Sequence, residues 1–597
     1  MNLRHLLVPV LLAAPVAAGA QVATVGPDTL ADVAHDPDDV RGAARDAQRD
    51  FERVRLRNAP LVVGGGMTYC DETVGRFCTG YDEDEWYPRD EEAEVTGARG
   101  ELIAELDSLQ RLAPDDGWIL GQRVWYRGDG GDWAGALEAV QRCAGTEPWW
   151  CAALEGLALH GMSRYEASER AFERALGAMD AERAREWRIP EMPVDRDARR
   201  VLRDDENEGA DSLATVLATL WAFADPLYLV VGNDRLTAHY ARWTASEIRR
   251  DARNPYGIRW GNDLEELTVR HGWELGWERS RSTLSGARET AIGHKHPEGR
   301  DYMPTGRALR DPGAAEPEAF AIARREPRSL YAPPYAPIIL PMDAQVAVFP
   351  RGDRMAVVAS AYLPQDTSFH ARHDHPRSWL EAGDQAGMPD EIGLFALPVG
   401  GSEPVGARET GRSAGALVVE VPIGAYVISV ESWSPELRRA GRLRLGVTGT
   451  RPPEDIATVS DLVLLEPTGG EPATLTEALP RLLARSELAE GQSVAIAWEL
   501  YGLGFRRESL LYSVSVERTD RNVFRRIGDF LGLSDPPQPL ALSWQEPAPA
   551  ATGSQFRYLA LDLPPLEPGD YRVTLTLRTS GRSDVQATRA FTVVEPS

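Results

Sequence analysis

WAGALEAVQRC, residues 133–143, and YEASERAFERA, residues 165–175, decide how the first half of this chain is read. Trp133, Ala136, Val140 and Cys143 are answered 32 positions later by Tyr165, Ser168, Phe172 and Ala175. Spacings of three and four put each set on one face of a helix. Ala152, Gly156 and Leu159 precede the second string, and Pro148 closes the first unit. The result is a pair of helical units from about Pro114 to Asp180, with small residues where helices touch and a large one filling the gap. Arg127-Gly128-Asp129-Gly130-Gly131 reads as a long turn inside the first unit. Two units need flanking helices to complete a core, and 96–112 and 205–225 fit that role. In the latter, Leu213, Val216, Leu217, Leu220 and Trp221 form an apolar stripe.

This pair resembles the tetratricopeptide repeat. The resemblance implies a surface that binds peptides or proteins, and no catalysis. Upstream, Asp36-Pro37-Asp38-Asp39 is a helix start, with a capping carboxylate, proline in the first turn and acids at the positive dipole end. That helix is expected to reach about Arg57. Gly64-Gly65-Gly66 lacks the Gly-Lys-Ser/Thr ending of a phosphate loop and reads as a turn. The acidic run from Asp82 to Glu94 lacks EF-hand ligand spacing and reads as a solvated loop.

The 597 residues hold 91 Asp+Glu against 65 Lys+Arg, a formal charge of -26. Such a surface repels phosphate backbones and anionic lipid heads, so nucleic acid is not an expected partner. With 43% apolar and 26% charged residues the chain can bury several cores. Lys295 is the only lysine. Arg4, the apolar run Leu6–Ala18 and Ala18-Gly19-Ala20 make an export signal at 1–20, cleaved before Gln21. No later segment has the ~18 consecutive apolar residues of a spanning helix, so a periplasmic or extracellular protein is expected. In that compartment Cys70, Cys78, Cys143 and Cys151 read as two local disulfides; the rival four-cysteine zinc site lacks CxxC spacing.

In the middle, Asp225-Pro226-Leu227-Tyr228 ends one helix and Asn233-Asp234-Arg235 opens another, running to about Ala252. Trp260-Gly261-Asn262-Asp263 then leads into an expected strand, Leu264 to Arg270, closed by His271-Gly272-Trp273. This stretch resembles the GWxTD module of uncharacterised exported bacterial proteins, although the signature is altered and its closing proline-aspartate is missing. That family brings no activity with it.

Five of the ten histidines fall in two strings, His294-Lys295-His296 and His370-Ala371-Arg372-His373-Asp374-His375. On a strand, His-x-His places both rings on one face. If the two strings meet, His294, His296, His370, His373 and His375 form a candidate set for zinc or another divalent transition metal, with Asp374 as support. The other reading is exposed loop histidines at turns, with Arg300 and Arg372 opposing a cation. Gly411-Arg412-Ser413-Ala414-Gly415 has nucleophile-elbow spacing but precedes a strand, so it reads as a hairpin turn. Arg351-Gly352-Asp353 likewise reads as a turn between strands.

From about Tyr335 the period shortens to two. Val346 and Val348, Ala356–Tyr362, Ile392–Leu397, Leu417–Val421 and Leu443–Val447 are expected strands. Pro422-Ile423-Gly424-Ala425-Tyr426 and Pro568-Gly569-Asp570-Tyr571 each enter a strand through Gly-x-Tyr. Both resemble the tyrosine corner of immunoglobulin-like sandwiches, which implies two sandwiches. Val494, Ile496, Trp498 and Leu500 would line the second, with a short helix expected at 522–531 and Ser460–Leu465 bridging the two.

The expected fold class is multidomain α + β: an N-terminal α-helical, tetratricopeptide-like half and a C-terminal all-β half with two sandwiches. The expected division is 1–20 signal, 21–112 helical region with a disulfide loop, 113–185 repeats, 186–335 GWxTD-like module and linker, 336–455 first sandwich and 456–597 second sandwich. Every recognisable unit is a binding architecture, and no acid, base and nucleophile converge. The expected function is therefore a non-enzymatic envelope protein with a protein or peptide partner, no cofactor, and the sandwiches as spacer or adhesion modules. The alternatives are a metal-binding protein or metal-dependent hydrolase using the two histidine strings, and glycan stacking on Trp379 or Trp433.

Overall fold

The computed structural model describes residues 36–595, apart from 64–69, 80–85, 144, 282–288, 321, 323–326, 367–384, 454–455, 505–507, 520–539, 550–551 and 581. The export signal, Gly64–Gly66, the second histidine string with His370, His373 and His375, Trp379 and the helix expected at 522–531 all lie outside the described residues.

The first half is helical: α1 (Pro37–Asn58), α2 (Ala93–Leu112), α3 (Gly117–Asp129), α4 (Trp133–Gln141), α5 (Pro148–Gly161), α6 (Tyr165–Ala178), α7 (Ala181–Arg188), α8 (Arg196–Glu208), α9 (Ala210–Ala224), α10 (Asp234–Arg250), α11 (Asn262–His271) and α12 (Gly306–Arg310). Asp36 caps α1 by accepting from the Asp38 amide at 3.0 Å, as its acidic-proline start requires. Gly156 lets Phe172 sit against the α5 backbone: a Cβ there would lie 2.7 Å from the ring. Trp133 is held in the same way between Gly128 and Gly161, whose Cβ positions fall 2.3 and 2.1 Å from its indole. α3 runs on through Arg127, Gly128 and Asp129, so the turn to α4 is shorter than the sequence suggested.

A small sheet joins this half: β1 (Leu61–Val63) runs parallel to β4 (Gly276–Arg281), and β4 pairs antiparallel with β5 (Thr290–His294). β2 (Glu72–Val74) and β3 (Phe77–Thr79) form a hairpin closed by the Cys70–Cys78 disulfide, Cα–Cα 5.5 Å. Cys143 and Cys151 are also bonded, Cα–Cα 6.0 Å. The expected strand at 264–270 is helix α11 instead. Leu264, Leu267, Thr268 and His271 are buried at i, i+3, i+4 and i+7, Asp263 and Glu265 occupy the first turn, and Gly272 ends it at φ 82°.

The second half is all-β. It contains β6 (Ile338–Pro341), β7 (Val346–Arg351), β8 (Arg354–Tyr362), β9 (Glu391–Pro398), β10 (Val405–Thr410), β11 (Ala414–Pro422), β12 (Ala425–Ser434) and β13 (Arg439–Thr448). Then follow β14 (Thr458–Val459), β15 (Val463–Leu465), the one-turn α13 (Leu475–Ala478), β16 (Glu487–Ala489), β17 (Val494–Tyr501), β18 (Ser509–Arg518), β19 (Leu540–Pro547), β20 (Gln555–Leu561), β21 (Gly569–Thr579) and β22 (Val585–Val594). Sheet β10-β9-β12-β13-β6 faces sheet β11-β8-β7 across a core that includes Val357, Leu394, Val419 and Ile428. Sheet β14-β17-β15, extended by β20, faces β16-β22-β21-β18-β19 across a core around Trp498, Tyr512 and Leu575. Both tyrosine corners close: Tyr426 donates to the Pro422 carbonyl at 3.0 Å and Tyr571 to the Glu567 carbonyl at 2.9 Å. Gly411–Ser413 is the turn from β10 to β11, and Gly352-Asp353 the turn from β7 to β8.

The units share cores. Tyr165, Ile189, Phe223, Tyr335, Phe395 and Trp433 belong to one cluster, which crosses the expected boundaries at 185 and 335. Trp433 is buried there and presents no face to a sugar. Phe349, Val358, Val463 and Ala497 form another cluster between the sandwiches. Among the described residues no helix is long and apolar enough to cross a membrane.

Candidate functional site: a charged cleft

The repeat-like helices do not leave an open groove. α10 packs on α3, α5 and α6, and most of its side chains are buried. Gln122 donates to the Ile248 carbonyl at 2.8 Å, and His160 Nδ1 and Thr237 Oγ1 are 2.9 Å apart. Tyr240 meets Phe172 at 5.4 Å, and Trp243 stacks on Trp187 at 6.0 Å. The faces of α3, α5 and α6 that meet α10 are thus interior, covered by the chain's own helix.

A cleft of about 490 Å3 lies between the ends of α1, α2 and α3 and strand β4. Trp86 and Trp277 supply aromatic wall, and Arg89, Asp90 and Glu92 stand at exposed positions. Its inner ions are paired off. Arg55 and Arg99 both donate to Asp129, the latter at 3.0 Å, and Arg99 also grips both oxygens of Glu91. Behind them Tyr126 donates to Glu52 at 2.6 Å, and burial raises the Glu52 carboxyl above its usual range. Glu274 takes the opposite course. Although burial opposes it, Arg249 at 2.7 Å and Lys295 at 2.8 Å hold its carboxyl well below the usual range. Tyr256 adds a third donor at 3.1 Å.

Lys295, the single lysine, is consumed by this network. Its ammonium also donates to the Gly272 carbonyl at 2.7 Å, and burial lowers its pKa. His294 ends β5 beside the cleft, where its Nε2 lies 3.1 Å from Glu278 and its ring stacks on Trp86 at 4.3 Å. His296 lies two residues beyond the strand, and its Nδ1 accepts the Glu298 amide at 3.1 Å. Burial lowers the His296 pKa to about 3. Each ring is engaged by a different neighbour. Among the described residues no group of three His, Cys, Asp or Glu side chains could hold a metal ion. The residues lining the cleft include no Ser, Cys, His or Lys. What it offers is aromatic surface and fixed charge.

Sequence reading missed Glu274, Glu278 and Trp86, because what brings them together is the pairing of β4 with β5 and a loop from far upstream. One signal was available: a lone lysine in an arginine-rich chain marks a place where a compact point charge is wanted in preference to a planar fork.

No protein-family model matches the chain, and no curated protein matches it. Among solved structures, a red sea bream transglutaminase aligns at 8% identity and TM-score 0.14, over 42% of this chain and 32% of that one. A Bacteroides uniformis β-glucuronidase aligns at 12% and 0.15, over 40% and 26%. A Bacteroides fragilis protein described as a β-galactosidase aligns at 9% and 0.15, over 41% and 34%. The chain thus spans about a third or less of each, and likenesses of this size carry no argument.

Proposed function

We propose that this is an exported, non-enzymatic binding protein that holds a basic peptide segment of a protein partner in the cleft. The sandwiches act as spacer or adhesion modules. One observation carries the reading: the cleft walls are preorganised, with Arg55, Arg99, Asp129 and Glu91 locked to one another and Glu274 held by Arg249 and Lys295. A surface whose side chains are fixed in advance loses little entropy on binding. At the exposed positions Asp90 and Glu92 outnumber Arg89, which favours a cationic segment over an anionic one, in keeping with the charge of -26. The two disulfides fit an oxidising compartment.

The test is capture from envelope extracts by the immobilised protein, beside an Asp90→Arg, Glu92→Arg variant that leaves every buried ion pair intact. A partner held by the parent and lost by the variant is expected. Retention of no partner, or equal retention by both, overturns the assignment.

A further inference from the structure

The sheet β16-β22-β21-β18-β19 ends on β19, and among the described residues no strand lies beyond it. Edge strands are usually blunted by lysine, proline, a bulge or a covering element, because their unpaired backbone groups template another strand. β19, LALSWQEP, is eight residues long and pairs with β18 in unbroken register. It has no lysine, and no proline before its last residue, Pro547. Its one charge, Glu546, is turned back onto Tyr512 at 2.8 Å and Arg557 at 3.2 Å. Leu540 and Leu542 stay 38% and 50% exposed.

The phase of the hydrogen bonds fixes which backbone groups are free. The Ala548 amide donates to the Glu508 carbonyl at 2.9 Å, so these two residues are a hydrogen-bonded pair of the antiparallel ladder. Such pairs recur at every second residue, which turns the backbone of Leu540, Leu542, Trp544 and Glu546 toward β18. On the other side of β18 the Thr519 amide donates to the Asp570 carbonyl at 2.7 Å, the complementary phase. The N–H and C=O groups of Ala541, Ser543 and Gln545 therefore point outward. All three residues are exposed, and their backbone groups have no partner among the described residues.

This edge is complementary to itself. A second copy laid antiparallel, with Ser543 on Ser543, brings Ala541 opposite Gln545 on both sides of a two-fold axis. Each of these pairs exchanges two N–H···O=C bonds. Between them Leu542 meets Trp544 of the copy, an aliphatic–aromatic pair of the kind that stabilises sheets. Glu546 meets Leu540 of the copy, so no two carboxylates face each other. We propose that β19 joins two copies of this chain into a two-fold dimer with one continuous sheet. The dimer involves no residue of the peptide cleft and does not depend on that reading.

Sedimentation equilibrium of the mature protein tests this. Copies of charge -26 repel one another, so the measurement is made in about 0.5 M salt, which screens exposed charges beyond a few ångströms. A reversible dimer with a Kd on the order of 10–100 μM is expected for a contact of strand-edge size. Hydrogen exchange should show the amides of Ala541, Ser543 and Gln545 gaining protection as concentration rises through that Kd. Ser543→Pro removes the N–H at the axis and leaves the bonds to β18 in place, so it should raise the Kd by about tenfold or more. Ser543→Lys sets two ammonium groups across the axis, even as it lowers the net negative charge, and should do the same. The lysine variant decides the matter should Ser543→Pro fail to fold. A parent still monomeric at about 500 μM, protection of those amides that ignores concentration, or a lysine variant that dimerises like the parent overturns the proposal.

Discussion

Two buried carboxylates show how environment sets the role of a residue. Glu274 is ringed by Arg249, Lys295 and Tyr256, and its folded carboxyl sits well below the ordinary range. A depressed carboxylate contributes stability above its unfolded pKa, and that contribution is lost as pH falls through the folded value. Glu274→Gln leaves Arg249 and Lys295 without their counter-charge, which should cost about 3–5 kcal/mol at pH 7. The deficit relative to the parent should shrink in acid, as urea unfolding at pH 7 and pH 3 would show. Asp234 behaves in the opposite sense. Burial pushes its carboxyl up to about 7, against the lowering effect of bonds from Tyr331 and Tyr335. The folded state then keeps a proton that the unfolded chain gives up above about pH 4. Stability should fall as pH rises from about 4 to 7, by at most ~1.4 kcal/mol per unit. Asp234→Asn should flatten that window, and a midpoint for the variant that still drops between pH 5 and 7 as the parent's does would contradict the assignment.

At the scale of elements, close packing through glycine decides more than helix propensity does. Gly161→Ala would set a Cβ 2.1 Å from the Trp133 indole, and overpacking of this kind should cost about 1–3 kcal/mol. Gly177, in α6, has nothing within 4 Å of its Cβ position. There the same substitution should stabilise by about 0.5–1 kcal/mol through helix propensity alone. Thermal unfolding followed by circular dichroism reads both signs. The helical units were legible in the sequence because their apolar period is local, and so were the strands of both sandwiches and the phenol-to-backbone closure at Tyr426 and Tyr571. α11 was misread because Leu264, Leu267 and Val269 sit in a ten-residue run whose composition suits strand or helix. What settles it is burial at i, i+3, i+4 and i+7 against neighbours the sequence does not name. His294 stands out in the sequence as a candidate metal ligand; its neighbours in the structure, Glu278 and Trp86, come from outside its own strand.

Across the whole molecule the units are bolted together by polar groups at their seams. Arg442 and Arg444, on β13, donate to the carbonyls of Asp225, Pro226, Phe320 and Phe223, while Glu431 accepts the Leu229 amide at 3.0 Å. Between the sandwiches the Gln345 amide donates to the Leu464 and Leu483 carbonyls at 3.1 and 2.7 Å and accepts the Leu464 amide at 2.9 Å. Arg351 forks onto Glu499 at 2.5 and 2.8 Å, so the arginine of the Arg-Gly-Asp turn serves the seam. Gln345→Leu should strand the Leu483 carbonyl and the Leu464 amide, while the Leu464 carbonyl keeps the Leu483 amide; the cost should be about 1–3 kcal/mol, and calorimetry should resolve the sandwiches as separate transitions. One unshifted transition would contradict this. None of these seams has a local sequence signal, since each joins residues more than a hundred positions apart.

The proposed reading is a recognition protein built from fixed surfaces, and among its described residues no three metal-ligating side chains group together. It is tested most directly by elemental analysis of the purified mature protein, beside a His294→Ala, His373→Ala variant. The account predicts metal far below one equivalent in both. One bound equivalent of a transition metal in the parent, lost in the variant, would contradict it.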